Sequence, residues 1–387
     1  MLYILKWERI TLAIYLDNSA TTPLCESAKK KIAYMLDECW ANPSSIHHLG
    51  VRAKDELDNA RKIIAEKISA REDEVYFTSG GTESNNIAIF GAVQKLRKRG
   101  NKIITSSVEH PSVENCMKAL ETQGFNVVRL PVDKSGKINI QDLIKEVDEK
   151  TILVSIMFVN NESGAINPIQ LIRKAVLMKN SPALIHCDAV QAFGKMPIKV
   201  QKLGVDLMSI SSHKIHGPKG AGALFVRKGV NIVSPVSGGG QEKGLRSGTE
   251  AMPAICGFAA AAEEITEIEK NLENVKFLRD NFVEKLKSID SVVINSAHDA
   301  LPYIVNFSVV GIPSQPMINF LSEREIYVSG GSACAKGHRS TALVNAGLTP
   351  ERIDSAIRVS LSKYNTVEEL ELTAENIALA VKMLRRV

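Results

Sequence analysis

The chain has 387 residues, 44% hydrophobic and 24% charged, with 48 Lys+Arg against 43 Asp+Glu and a formal net charge of +5. Those proportions exclude a disordered chain and fit a globular protein large enough for two domains. The mild charge, with no basic block or aromatic-plus-basic patch, argues against nucleic acid as the main ligand.

The apolar N-terminal stretch is interrupted by Lys6, Glu8 and Arg9 before a signal-peptide core or membrane span can form. Six cysteines (Cys25, Cys39, Cys116, Cys187, Cys256, Cys334) are scattered without any CxxC pair. That argues against a metal site and a disulfide framework, and makes the cytoplasm the expected compartment, without direct membrane binding. VRAKDELDNARKIIAEKI has helical spacing over 51–68. EVYFTSGG, KIITSSVEH, NVVRLPV, TILVSIMFVN, ALIHCDAVQ and VDLMSISSHK follow as strand-like apolar runs. Helical segments lie between several of them, which predicts an α/β fold with a mainly parallel central sheet. Ligands of such folds bind at the carboxyl ends of the strands. Here those ends read SGGTES, VEHPS, NNES, DAVQ and SSHK.

Past Ala260 the texture changes. AAEEITEIEKNLENVKFLRDNFVEKLKSI (261–289) reads as one long charged helix connecting domains. Short strands (IVNFSVV, EIYVSGG, AIRVSLS) and a terminal helix follow. The expected organisation is a large domain over 16–260 and a smaller α+β domain over 261–387, with residues 1–15 grouped with the smaller one.

Lys214 ends a strand inside the polar cluster SSHK, where the surrounding field could leave a neutral amine able to form a Schiff base. Asp188 ends the apolar run ALIHC. SGGTES supplies a glycine turn running into a helix, whose free N–H groups can hold a phosphate, with the Thr82 and Ser211 hydroxyls as further donors. Taken singly these are a surface cation, a helix cap and an ordinary turn. Together they are what pyridoxal phosphate requires: a lysine for its aldehyde, a carboxylate for its pyridine nitrogen and donors for its phosphate. His110 could stack on the ring. Arg358, alternating with apolar residues in AIRVSLS, could bind a carboxylate or form a structural ion pair. A second glycine-rich stretch, SGGGQEKGLRSGTE, could meet an anion through Arg246 or be a surface loop. Cys334 sits in SGGSACAKGHRS, with glycines behind it and Lys336, His338 and Arg339 ahead. That setting favours a thiolate that reacts.

LDNSATTP, FTSGGTESNN, VNNESG, HCDAVQ, SSHKIHGPKG, GGGQEKGLRSGT and SGGSAC, in that order, resemble the cysteine desulfurases of the NifS/IscS type. These are pyridoxal-phosphate enzymes of fold type I within the class V aminotransferase superfamily. The resemblance implies that Lys214 carries the cofactor, Asp188 holds the pyridine nitrogen and His110 stacks on the ring. It implies that Asn161 and Gln191 contact the ring hydroxyl, and that Gly81, Thr82, Ser211 and His213 hold the phosphate. Thr249 would reach the phosphate of a second subunit, making a homodimer. Arg358, with Asn161, would bind the substrate, and Cys334 would take sulfur from L-cysteine as a persulfide, leaving alanine. A sulfur-acceptor protein would receive it, in iron–sulfur cluster assembly or in tRNA or cofactor thiolation. Tyr303 stands where many relatives carry Asn. Two other readings remain open from the sequence: another reaction on this scaffold (selenocysteine lyase, another C–S lyase or an aminotransferase), and a sulfur-relay protein active only with a partner.

Overall fold

A computed structural model describes residues 13–330 and 339–385. The described residues divide into two compact units, the larger within 21–161 and 166–270 and the smaller within 1–20, 162–165 and 271–387. Among the described residues the first element is strand β1 (Ile14–Tyr15), in the smaller unit.

The larger unit then runs through α1 (Glu26–Asp37), α2 (His48–Lys67), β2 (Val75–Thr78), α3 (Gly81–Leu96), β3 (Lys102–Ser106), α4 (Pro111–Thr122), β4 (Asn126–Leu130), α5 (Ile140–Glu146), β5 (Thr151–Ser155) and α6 (Ile169–Met178). It continues with β6 (Leu184–Asp188), α7 (Val200–Leu203), β7 (Leu207–Ser211), β8 (Gly222–Val226) and α8 (Met252–Glu263). The strands form a seven-stranded sheet in the order β2-β8-β7-β6-β5-β3-β4. Only β8 runs against its neighbours in this sheet. The strands that carry the polar tails therefore all end at one edge. Strands β5 and β7 are buried throughout, which explains why they read as unbroken apolar runs rather than alternating ones.

Helix α3 is buried on most of its surface through Ile87, Ala88, Ile89, Ala92 and Val93. A helix apolar on most sides must lie inside, and this one packs beneath the sheet with its first turn at the polar edge. Helix α2 starts three residues before the spacing predicts, because His47 caps it by accepting from Gly50 N at 3.2 Å. Gly50 is required there: a Cβ would lie 2.2 Å from Ser45 O. The long helix expected over 261–289 is broken. Helix α8 stops at Glu263, a turn follows, and α9 (Ile268–Lys287) begins after Glu267, which has a φ of 48°.

In the smaller unit, β9 (Val292–Ile294), β10 (Ile304–Val309), α10 (Ser314–Ser322), β11 (Ile326–Tyr327), α11 (Thr341–Asn345), α12 (Pro350–Asp354), β12 (Ala356–Ser360) and α13 (Val367–Leu384) follow α9. Strands β12, β10 and β9 form an antiparallel sheet, and β1 pairs with β11 in parallel.

The glycine-rich stretch of the larger unit is held by a buried ion pair. Glu242, 6% exposed, receives Arg61 Nη1 at 2.7 Å and Nη2 at 2.8 Å, and also the Phe77 N–H at 2.8 Å. Arg61 also donates to Val75 O at 2.8 Å. These bonds hold Glu242 and Lys243 at left-handed φ values of 47° and 55°, a strained backbone for residues with side chains. Removing one partner strands the other charge. Glu242→Ala is expected to cost about 3–5 kcal/mol, and adding Arg61→Ala should cost less than the sum of the two single changes. Urea unfolding of the three variants measures this, and a loss under about 1 kcal/mol for Glu242→Ala would contradict it.

Candidate active site

The polar edge of the large sheet gathers residues from five strand ends. At the end of β2, Gly80 has φ 150° and ψ −177°, a conformation open essentially to glycine alone. Gly81 begins α3, where an added Cβ would meet Val190 Cγ2 at 2.6 Å. The first amides of α3 have no acceptor within the helix and open beside Ser211 at the end of β7. The Ser211 hydroxyl is buried and makes no hydrogen bond. Thr82 is exposed at the helix start. A bare turn, a helix N-terminus and an unpartnered buried hydroxyl are suited to a phosphate.

His213 and Lys214, both half-buried, lie on the single turn after β7. The Thr22 hydroxyl donates to His213 O at 3.0 Å, and Thr21 Oγ1 lies 3.2 Å from His213 Nδ1. Burial, and then the cations Lys214, Lys219 and Lys195, push His213 down to about 4. At neutral pH its ring is therefore uncharged amid three lysines, a positive field that favours an anion.

Asp188 ends β6 and is 6% exposed. Its Oδ1 accepts from Val190 N at 3.0 Å and its Oδ2 from Asn85 Nδ2 at 2.8 Å. The same Asn85 amide also donates to Ser112 Oγ at 2.8 Å. Ser112 Oγ in turn lies 2.8 Å from His110 Nδ1, and Ser112 N donates to that nitrogen at 3.1 Å. A continuous hydrogen-bonded path thus joins Asp188 to His110 through Asn85 and Ser112. His110 caps α4 and exposes its ring.

Gln191 is 5% exposed, and its Oε1 accepts from the buried Lys195 at 2.9 Å. Asn161 is half-buried at the end of the run after β5. Thr249 is exposed on the glycine-rich stretch.

Below Asp188 on the same face of β6, His186 lies 2.8 Å from Ser155 Oγ and 3.1 Å from Ser209 Oγ, spanning β5 to β7. Burial pushes it down to about 4, so it stays neutral. Neither His186 nor Asn85 stands among the residues read from the sequence as cofactor contacts. A buried Asn one turn into an apolar helix was the available signal for Asn85.

The Aminotransferase class-V family matches residues 14–372. The chain belongs to that family. Class-V aminotransferases of this branch are pyridoxal-phosphate enzymes, and the residues just described fit that cofactor. The chain is 41% identical over 379 residues to the cysteine desulfurase IscS of Dictyoglomus turgidum, across 97% of this chain and 96% of that protein. A solved NifS-like protein superimposes with a TM-score of 0.91 at 37% identity, covering 97% of this chain and all of the other. SspA, solved in complex with cysteine, superimposes at 0.80 with 34% identity over 91% of this chain and all of that one. The fold is the fold type I arrangement expected from the sequence.

In the smaller unit, Arg358 on β12 is 5% exposed, and its Nη2 pairs with Asp17 Oδ1 at 2.8 Å. Its backbone exchanges both hydrogen bonds with Ser329, at 2.6 and 3.1 Å. Arg339 is engaged by Asp354 through bonds of 2.7 and 2.6 Å, so its charge is directed there. Tyr303 is buried, and burial pushes its hydroxyl up to about 12. Cys334, with Lys336 and His338, lies outside the described residues.

Asn85 gives Asp188 one of its two hydrogen bonds, and bonds to charged acceptors contribute about 1.5–3 kcal/mol. Asn85→Ala is expected to weaken cofactor binding about tenfold or more and to change the visible circular dichroism of the bound cofactor. Equilibrium titration of the apoprotein reads the affinity; unchanged affinity with an unchanged spectrum would exclude the role.

Proposed function

We propose that the chain is a cysteine desulfurase that converts L-cysteine to L-alanine and takes the sulfur onto Cys334. The observation that carries this reading is one sheet edge. There a buried, hydrogen-bonded Asp188, the unpartnered Ser211 hydroxyl and Lys214 stand on adjacent strands behind the glycine turn of α3. Bound pyridoxal phosphate would act as the electron sink for a change at the α-carbon of the amino acid. Lys214 would hold the cofactor covalently, and Gly81, Thr82, Ser211 and His213 its phosphate. Asp188 would keep the ring nitrogen protonated, His110 would cover one face, and Asn161 and Gln191 would meet the ring hydroxyl. Arg358, with Asn161, would bind the substrate carboxylate. The Cys334 thiolate would attack the substrate sulfur. One S–S bond forms, the substrate C–S bond breaks, and its electron pair stays with the carbon skeleton, which takes up a proton and leaves as alanine. The persulfide then passes to a sulfur-acceptor protein, for iron–sulfur cluster assembly or thiolation.

Persulfide chemistry needs a reducing compartment, which supports a cytoplasmic setting. The described cysteines are all free thiols, and among the described residues no helix is long and apolar enough to cross a membrane.

The wild type, shown by absorbance to carry its cofactor, should release alanine and sulfide from L-cysteine under reducing conditions. Cys334→Ala, equally loaded, should release less than about one hundredth as much. Equal activity of the two would overturn the persulfide route.

A homodimer is part of the same reading. Trp40 is 67% and Ile46 98% exposed, with Leu49 and Val51 also exposed nearby in sequence. Apolar exposure of this kind marks an association surface. In this reading a second copy covers that surface, and Thr249, exposed on the glycine-rich stretch, would reach the phosphate of that copy. Sedimentation at micromolar concentration should give twice the chain mass, and Ile46→Glu should shift it toward the monomer. A wild type that sediments as a monomer throughout would refute the dimer.

A further inference from the structure

Glu109 precedes His110 and has no part in the chemistry above. Strand β3 ends at Ser106, and the Thr105–Ser155 pairing sets Met157 opposite Ser107, where β3 has already turned away. The neighbouring amides of Met157 remain in the sheet: Ile156 N donates to His186 O at 3.1 Å and Phe158 N to Asp188 O at 2.8 Å. Met157 N points the other way, toward the missing strand. Its bond goes to Glu109 Oε1 at 2.9 Å, and the same oxygen accepts from Ser106 Oγ at 2.6 Å. A side-chain oxygen has replaced a strand carbonyl. A second tie, Asn160 Nδ2 to Val108 O at 3.1 Å, joins the same two segments.

We infer that Glu109 is a positioning residue for the cofactor ring: its carboxyl fastens the segment bearing His110 to the strand end whose next amide holds Asp188. This rests on the cofactor reading above.

The carboxyl works in its neutral form. The residue as a whole is half-buried, but Oε2 is buried and makes no hydrogen bond. A buried ionised oxygen without a donor is costly. Burial first, against the bonds from Ser106 and Met157, raises Glu109 from the ordinary 4.5 to about 8. Asp188 on β6 and Glu114 on α4 add to the rise, and Glu114 is itself paired with Arg129 at 3.0 Å. Cys187, also on β6, is held protonated chiefly by burial. His110 adjoins it in the chain, and no cation is prominent among the groups that act on it.

The sign follows from proton counts. Between about 4.5 and about 8 the folded state keeps a proton that the unfolded chain has lost, so this group makes the protein less stable as pH rises through that window.

Glutamine keeps the accepting oxygen and has no charge. Glu109→Gln should bind pyridoxal phosphate within about threefold of wild type and keep its visible circular dichroism; Glu109→Ala should bind about tenfold more weakly and lose part of that signal. Urea unfolding of the apoproteins from pH 5.5 to 8 should show Glu109→Gln gaining on wild type by up to about tenfold in folding equilibrium per pH unit. That series contains no cofactor, so it stands apart from any failure of the cofactor reading. Three results would overturn the inference: equal weakening by Gln and Ala, normal affinity and spectrum in Glu109→Ala, or no divergence with pH. Where Glu109→Ala does not fold, Glu109→Gln alone decides through its spectrum and pH series.

Discussion

A carboxylate closed inside a sheet edge is expensive unless its charge is met, and Asp188 is the group around which the larger unit is arranged. Two N–H donors hold it, from Val190 and Asn85. Its titratable neighbours are kept uncharged by burial: His186 below it is pushed down to about 4, and Glu109 beside it up to about 8. Asp188 is the hydrogen-bonded carboxyl at the centre of this cluster. On the proposed cofactor reading, a carboxyl held by those two donors would be suited to pair with the ring nitrogen.

Helix α3 sets the scale of the site. Its glycine turn opens at Gly81, and Asn85 lies one turn later, about 6 Å along the axis at 1.5 Å per residue. The same rigid element thus presents amides suited to a phosphate at one end and fastens Asp188 a turn further in. Because α3 is buried through Ile87, Ile89 and Val93, it cannot shift without disturbing the core. The spacing between the glycine turn and the Asn85–Asp188 bond is inherited from helix geometry and core packing, and loop conformation has little part in it.

The candidate site residues that could be picked out from the sequence are those whose type alone is informative at a strand end: glycines, Asp188, His110, Lys214. The parallel sheet was legible for the same reason, since apolar runs ending in polar tails mark both the strands and their shared edge. Asn85, Ser112 and Glu109 were not, because each matters through a partner distant in sequence: Asn85 to Asp188 and Glu109 to Met157. Periodicity assigns such residues to a helix or a turn and stops there. Glu242 was hidden similarly. In a stretch of glycines it reads as a solvated charge, whereas it is buried against Arg61. The break after α8 escaped detection because the apolar spacing continues through it, while Glu267 adopts a left-handed conformation that composition does not announce.

The smaller unit solves a different problem, that of holding the two roots of the Cys334 segment. Ser329, five residues before the cysteine, is paired through its backbone to Arg358, whose guanidinium is engaged by Asp17. Ser340, six residues after it, is buried, caps α11 by accepting from Leu343 N at 3.2 Å, and donates to the buried carboxylate of Glu162. Arg358 thus uses its backbone for one root and its side chain for an ion pair. An arginine carries enough donors to accept a further carboxylate while keeping the first. On the proposed reading, a substrate carboxylate bound at Arg358 would meet the residue whose backbone also pairs with Ser329, ahead of the Cys334 segment. Substituting Arg358 by lysine would keep the backbone pair with Ser329 but remove the planar fork, so the two roles are separable in chemistry although one residue holds both.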